Sequence, residues 1–137
     1  MYEHSSYLKN TFNPELFKKT VNSTVERVKQ LQKELQFNAL AFTGQSGASI
    51  AYPVGFLTGL KLICVRREGS SHGYSVEQSY DCGRYLIIDD FISSGATIDS
   101  ILRKLESFTD LTCVGIFCYY NSHNEKSSYK ELPIFSI

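Results

Sequence analysis

At 137 residues the chain has the length of one domain and can bury a single substantial core. Hydrophobic residues make up 42% of it and charged residues 20%, which excludes a disordered or collagen-like chain. Its 14 basic and 14 acidic residues balance, so no overall field draws it to nucleic acid or to an anionic membrane, and any anion site must be local.

The amino-terminal stretch MYEHSSYLKN lacks the layout of a signal peptide, and no stretch approaches the ~18 apolar residues of a membrane span. The expectation is a cytoplasmic protein. Its cysteines, Cys64, Cys82, Cys113 and Cys118, form no CxxC pair, and three of them lie in apolar runs, which argues against zinc and against a disulfide framework. Residues 1–13 are polar and Tyr-rich and read as an arm lying on a neighbouring surface.

From Pro14 onward Leu16, Phe17, Val21, Val25, Val28, Leu31 and Leu35 recur at three- and four-residue steps. This spacing predicts a long amphipathic helix with Asn13 as N-cap and Pro14 at its first position. Residues 37–43 (FNALAFT) turn apolar at strand length, Gly44-Gln45-Ser46-Gly47 reads as a turn, and residues 48–57 resume as a helix. A second strand over 61–66 (KLICVR) leads into a polar, Gly-containing stretch over 67–83. The third strand, 84–89 (RYLIID), is followed by an amphipathic helix over 97–108 and by 111–120 (LTCVGIFCYY), an apolar run of the kind buried on both faces of a parallel sheet. Residues 121–130 read as a polar loop and 132–137 as a short last strand.

Alternating β and α elements predict one α/β domain over residues 1–137, an open, mainly parallel twisted sheet with helices on both faces. Such doubly wound sheets bind ligands at the carboxyl ends of their strands, near the switch point. All three loops that carry chemistry-bearing residues follow strands.

The most informative is 86–97 (LIIDDFISSGAT). Asp89 and Asp90 end an apolar strand, where carboxylates can accept hydrogen bonds from vicinal hydroxyls or help hold a hydrated cation. Phe91 and Ile92 follow, then Ser93, Ser94, Gly95, Ala96 and Thr97 supply small residues, hydroxyls and a helix start. Free amides and the helix dipole favour a phosphate on such a turn.

A run of apolar residues, two acids, two apolar residues and a hydroxyl-hydroxyl-Gly-x-Thr loop resemble the phosphoribosyl pyrophosphate (PRPP) signature of the type I phosphoribosyltransferases. The resemblance implies that family's doubly wound fold with a small or minimal hood. It implies that Asp89 and Asp90 bind the ribose hydroxyls and that Ser93 to Thr97 cradle the 5′-phosphate, with Phe91 and Ile92 within the PRPP loop. Mg²⁺ would be the cofactor, met by Asp89 and Asp90 largely through PRPP and water. Thr43, Gly44, Gln45, Ser46 and Gly47 stand where the family has its pyrophosphate loop.

Arg66 and Arg67 leave the second strand for a hydrophilic segment with His72-Gly73, similar to the flexible catalytic loop of orotate phosphoribosyltransferases. Carried over, Arg66, Arg67 and His72 reach the departing pyrophosphate. Orotate enzymes have a lysine between the basic pair and the His-Gly; this chain has Gly69, Ser70 and Ser71. Either Arg67 and His72 suffice, a partner subunit supplies the cation, or the base is not orotate. Ser93 replaces the acid with which hypoxanthine-guanine enzymes handle the purine N7, and Gln45 stands where adenine enzymes use an acid. Residues 1–13 and 122–137 are the material for a hood, and Tyr2, Tyr7, Phe12, Tyr129 and Phe135 are candidates to stack on a base.

The resulting expectation is a PRPP-dependent phosphoribosyltransferase, orotate-like rather than purine-specific. Its partners would be PRPP, a small nitrogenous base and a second copy in a homodimer, with neither nucleic acid nor membrane. A PRPP- or nucleotide-binding regulator without turnover is the alternative. An unrelated flavodoxin-like or receiver domain is a third reading.

Overall fold

Asn13 opens the first helix as its sequence requires. Its Oδ1 accepts from the amides of Glu15 and Leu16 at 3.1 and 3.2 Å, Pro14 occupies the first turn, and α1 runs Pro14–Leu35. The computed structural model describes residues 11–66, 74–120 and 127–137. Val21, Val28 and Leu31 bury the inner stripe of α1, and the chain leaves it through Gln36 in the left-handed region (φ 56°).

β1 (Ala39–Phe42) is buried along its whole length and passes directly into α2 (Gly44–Thr58). The Gly-Gln-Ser-Gly segment is therefore the first turn of this helix and not a separate turn. Two glycines and a serine carry poor helix propensity and no apolar periodicity, so the strand end, rather than the local sequence, starts the helix there. Gly47 permits the close approach, because a Cβ would lie 3.0 Å from that of Phe42.

β2 (Lys61–Val65), β3 (Val76–Gln78), β4 (Arg84–Asp89), α3 (Ala96–Leu105), β5 (Thr112–Cys118), β6 (Ser128–Tyr129) and β7 (Leu132–Ser136) complete the described elements. They form a seven-stranded sheet in the order β3-β2-β1-β4-β5-β7-β6. The five inner strands are parallel, while β3 and β6 pair antiparallel at the edges. Both edge strands lie in stretches that the sequence reading left as loop. At three and two residues they are too short to display a period, and their polar side chains suit an edge.

Successive β residues alternate between two cores. Leu40, Phe42, Leu86, Ile88 and Phe117 face α1 and α2. Ala39, Ala41, Ile63, Val65, Ile87 and Ile116 face α3. The chain thus places helices on both faces of an open, mainly parallel sheet, as expected. From β1 it winds one way through α2 to β2, and from β4 the other way through α3 to β5. The carboxyl ends of β1 and β4 consequently border the crevice where such sheets change direction. No helix among the described residues is long and apolar enough to cross a membrane, and all the cysteines are free.

Candidate active site

The apolar run of β4 carries Asp89 and Asp90 into the interior at its carboxyl end, leaving them 4% and 7% exposed. The end of β5 pins them there, since the amides of Tyr119 and Tyr120 donate to the carbonyls of Asp89 and Asp90 at 3.1 and 2.8 Å. The side chains have separate partners. Ser46 Oγ donates to Asp89 Oδ1 at 3.0 Å, and the Phe91 amide donates to Asp90 Oδ1 at 2.7 Å. Tyr119 Oη in turn donates to the Ser46 carbonyl at 2.7 Å.

Burial pushes the Asp89 carboxyl up to about 7, with the adjacent Asp90 charge the second cause and the Ser46 hydroxyl a partial offset. A carboxylate in this state gains from a cation or from hydroxyl donors. It is the kind of group that a binding site, and not a stable core, retains.

Beside the acids is a cleft of about 160 Å³, bounded by Ser46 and by residues 89–98, which include Phe91, Ile92, Ser93, Ser94, Gly95, Ala96 and Thr97. α3 starts at its rim. Its N-cap, Gly95, is in the left-handed region (φ 85°) and provides no side-chain cap. Ser94 Oγ accepts from the Ala96 amide at 3.3 Å. The turn therefore presents backbone N–H groups at the positive end of a helix dipole to the space beside two buried acids.

A larger cavity of about 550 Å³ adjoins it, lined by Thr43, Gly44, Gln45 and Ser46 from the start of α2, by Arg66 after β2, and by Asp90. Gly47 is buried behind this wall against Phe42 and does not line the cavity. Ser46 and Asp90 line both spaces, so the loops after β1, β2 and β4 converge on one continuous site. Arg66 is held at 2.8 Å by Glu77 Oε2 of β3. Arg67 and His72 lie outside the described residues.

Several contacts had no signal in the sequence. Tyr119 belongs to an apolar run, and its role under Ser46 depends on residues 73 positions apart. Tyr129, a candidate for stacking on a base, instead packs against Gly95, and Phe135 lies beneath the Arg27 guanidinium of α1. Tyr2 and Tyr7 lie outside the described residues.

Known proteins share this fold. No family model matches the chain. The adenine phosphoribosyltransferase of Petrotoga mobilis is 25% identical to it over 144 residues, covering 91% of this chain and 80% of that protein. The crystal structure of orotate phosphoribosyltransferase from Aeropyrum pernix superposes with a TM-score of 0.63 at 19% identity, over 80% of this chain and 62% of that one. That of adenine phosphoribosyltransferase from Thermoanaerobacter pseudethanolicus superposes with a TM-score of 0.64 at 17% identity, over 92% and 81%.

The fold is that of the type I phosphoribosyltransferases. The resemblance carried by residues 86–97 is thus matched by the tertiary structure around them. Within this phosphoribosyltransferase fold the two acids lie at the end of a central strand, and the hydroxyl-rich loop opens the helix that follows. The chain spans 62% of the length of the Aeropyrum pernix enzyme.

Proposed function

We propose that the chain transfers the 5-phosphoribosyl group between PRPP and a nitrogenous base, releasing pyrophosphate. The observation that carries this reading is the Ser46–Asp89 hydrogen bond. It joins the start of α2 to the end of β4, so that two acids and two amide-lined anion subsites share one cleft.

In this reading Asp89 and Asp90 accept hydrogen bonds from the ribose hydroxyls, and the amides of Ser93 to Thr97 fix the 5′-phosphate. The start of α2, Thr43 to Ser46, meets the pyrophosphate. The C1′–O bond to pyrophosphate breaks with its electron pair leaving on oxygen, and a C1′–N bond to the base forms as the base's N–H proton is lost to water. Positive charge develops on the ribose between these events, and the buried carboxylates oppose it electrostatically. Arg66, Arg67 and His72 meet the negative charge growing on the leaving group. No covalent nucleophile is needed.

Two buried carboxylates at one strand end, one of them pushed up to about 7 by burial, are oxygen donors suited to a hard cation. Asp89 and Asp90 would help hold Mg²⁺, which when bound supplies charge neutralisation to the pyrophosphate.

An orotate-like pyrimidine is the acceptor we favour over a purine. Ser93 and Gln45 replace the acids of the purine enzymes, and the Arg66-Arg67 pair with His72-Gly73 follows the orotate pattern. Homodimerisation fits α2, a helix without a charged residue that exposes Tyr52, Phe56 and Leu57. A reducing, cytoplasmic compartment suits the free cysteines.

A PRPP-binding regulator without turnover is favoured by one observation: Arg66, the cation among the described lining residues, is already held by Glu77. Pyrophosphate release measured with PRPP, Mg²⁺ and a panel containing orotate, adenine, hypoxanthine and pyridine bases separates the two. Release with orotate is the expected result. PRPP binding without release for any base selects the regulator, and no PRPP binding refutes both readings.

A further inference from the structure

The β6–β7 hairpin supports the phosphate loop from behind. Lys130 and Glu131, between its strands, both have positive φ, 49° and 67°. That is the twist of a two-residue hairpin turn, which Asn-Gly adopts readily and Lys-Glu only under strain. The hairpin sends two side chains, one from the end of β6 and one from the turn, to one carboxylate near the start of α3. Tyr129 Oη donates to Asp99 Oδ1 at 3.0 Å, and Lys130 Nζ meets the same oxygen at 2.8 Å. Tyr129 also lies against the loop itself, since a Cβ on Gly95 would fall 2.2 Å from the tyrosine oxygen. It does not line the cleft and acts on it only through Gly95 and Asp99.

Asp99 lies in the first turn of α3, four residues past the Gly95 cap. Its charge complements the helix dipole, yet it has the same sign as a phosphate seated on the adjoining amides. Lys130 and the Tyr129 hydroxyl are the main influences holding that carboxyl below its ordinary range, and Arg103, one helical turn further from the loop, adds a weaker attraction. The arrangement has an electrostatic consequence. With Lys130 removed, Asp99 would repel an anion at the loop.

Resting on the phosphoribosyl reading above, we infer that Tyr129 and Lys130 are positioning residues for the 5′-phosphate: Tyr129 sets the Gly95 turn, and Lys130 cancels the Asp99 charge.

The test is calorimetric titration of the full chain with ribose 5-phosphate at low salt, with thermal melts confirming that each variant is folded. Lys130→Gln is expected to weaken binding about fivefold, the size of one charge acting at a helix terminus. Lys130→Arg should bind like the parent, and Lys130→Gln combined with Asp99→Asn should recover the parent's affinity. Tyr129→Phe keeps the ring against Gly95 and should show a smaller loss than Lys130→Gln. A merely structural role would not be rescued by Asp99→Asn. Unchanged binding in Lys130→Gln, or a double variant as weak as the single one, overturns the inference. A parent that binds ribose 5-phosphate, with this pattern of variants, but releases no pyrophosphate with any base refutes the transferase alone. A parent that binds no ribose 5-phosphate refutes both.

Discussion

Replacing Asp89 by asparagine should stabilise the ligand-free protein, by an amount that grows as the pH rises from ~4 to ~7 and is full above that. The carboxyl is buried, and its folded value of about 7 stands above the 3.8 of an ordinary aspartate. The unfolded chain therefore loses this proton first. Below pH ~4 both states hold it and the group has no effect on stability; between ~4 and ~7 only the folded state keeps it, so stability falls as pH rises; above ~7 the loss is complete. At about 1.4 kcal/mol per unit, the displacement makes ionised Asp89 destabilising by on the order of 4 kcal/mol. Asparagine is nearly isosteric, cannot ionise, and retains an oxygen to accept from Ser46 Oγ. The measurement is urea unfolding of the parent and Asp89→Asn at pH 5 and pH 8 without divalent cations. The variant should gain most of that difference over the parent between the two pH values. A gap that is the same at both, or larger at pH 5, refutes the assignment of a buried, proton-hungry carboxyl. The same substitution should weaken PRPP binding, which would place Asp89 among groups retained for function at the expense of stability.

Two further outcomes follow from local geometry. Gly95→Ala puts a side chain at φ 85° and within 2.2 Å of the Tyr129 oxygen; it should lower stability by about 1–3 kcal/mol in urea unfolding, and adding Tyr129→Ala should return only part of this, since the backbone strain remains. Thr24, fully buried in α1, has a hydroxyl without a hydrogen-bond partner among the described residues. Thr24→Val keeps the shape and removes the unsatisfied group, so a gain of about 1 kcal/mol is expected, read as a higher unfolding midpoint with unchanged PRPP binding.

Local signals carried much of the fold. The spacing from Leu16 to Leu35 with an Asn-Pro start suffices for α1, because caps and a 3.6-residue stripe act within a few turns. The bounds of β4, Arg84–Asp89, were legible because its apolar residues end abruptly in two acids. The edge strands β3 and β6 were not, since their partners rather than their own two or three residues define them. The start of α2 at Gly44 was hidden by residues that favour no particular structure.

For the site, the chain by itself determined which side chains are candidates for the proposed ribose phosphate: two carboxylates and a small, hydroxyl-rich turn are neighbours in sequence, and their chemistry is local. Only the tertiary structure decided how they work together. Ser46 reaches Asp89 across 43 residues, Tyr119 reaches Ser46 across 73, and Tyr129 reaches Asp99 across 30. These contacts exist because parallel strands align their carboxyl ends on one edge of the sheet, bringing together groups whose spacing along the chain contains no trace of their meeting.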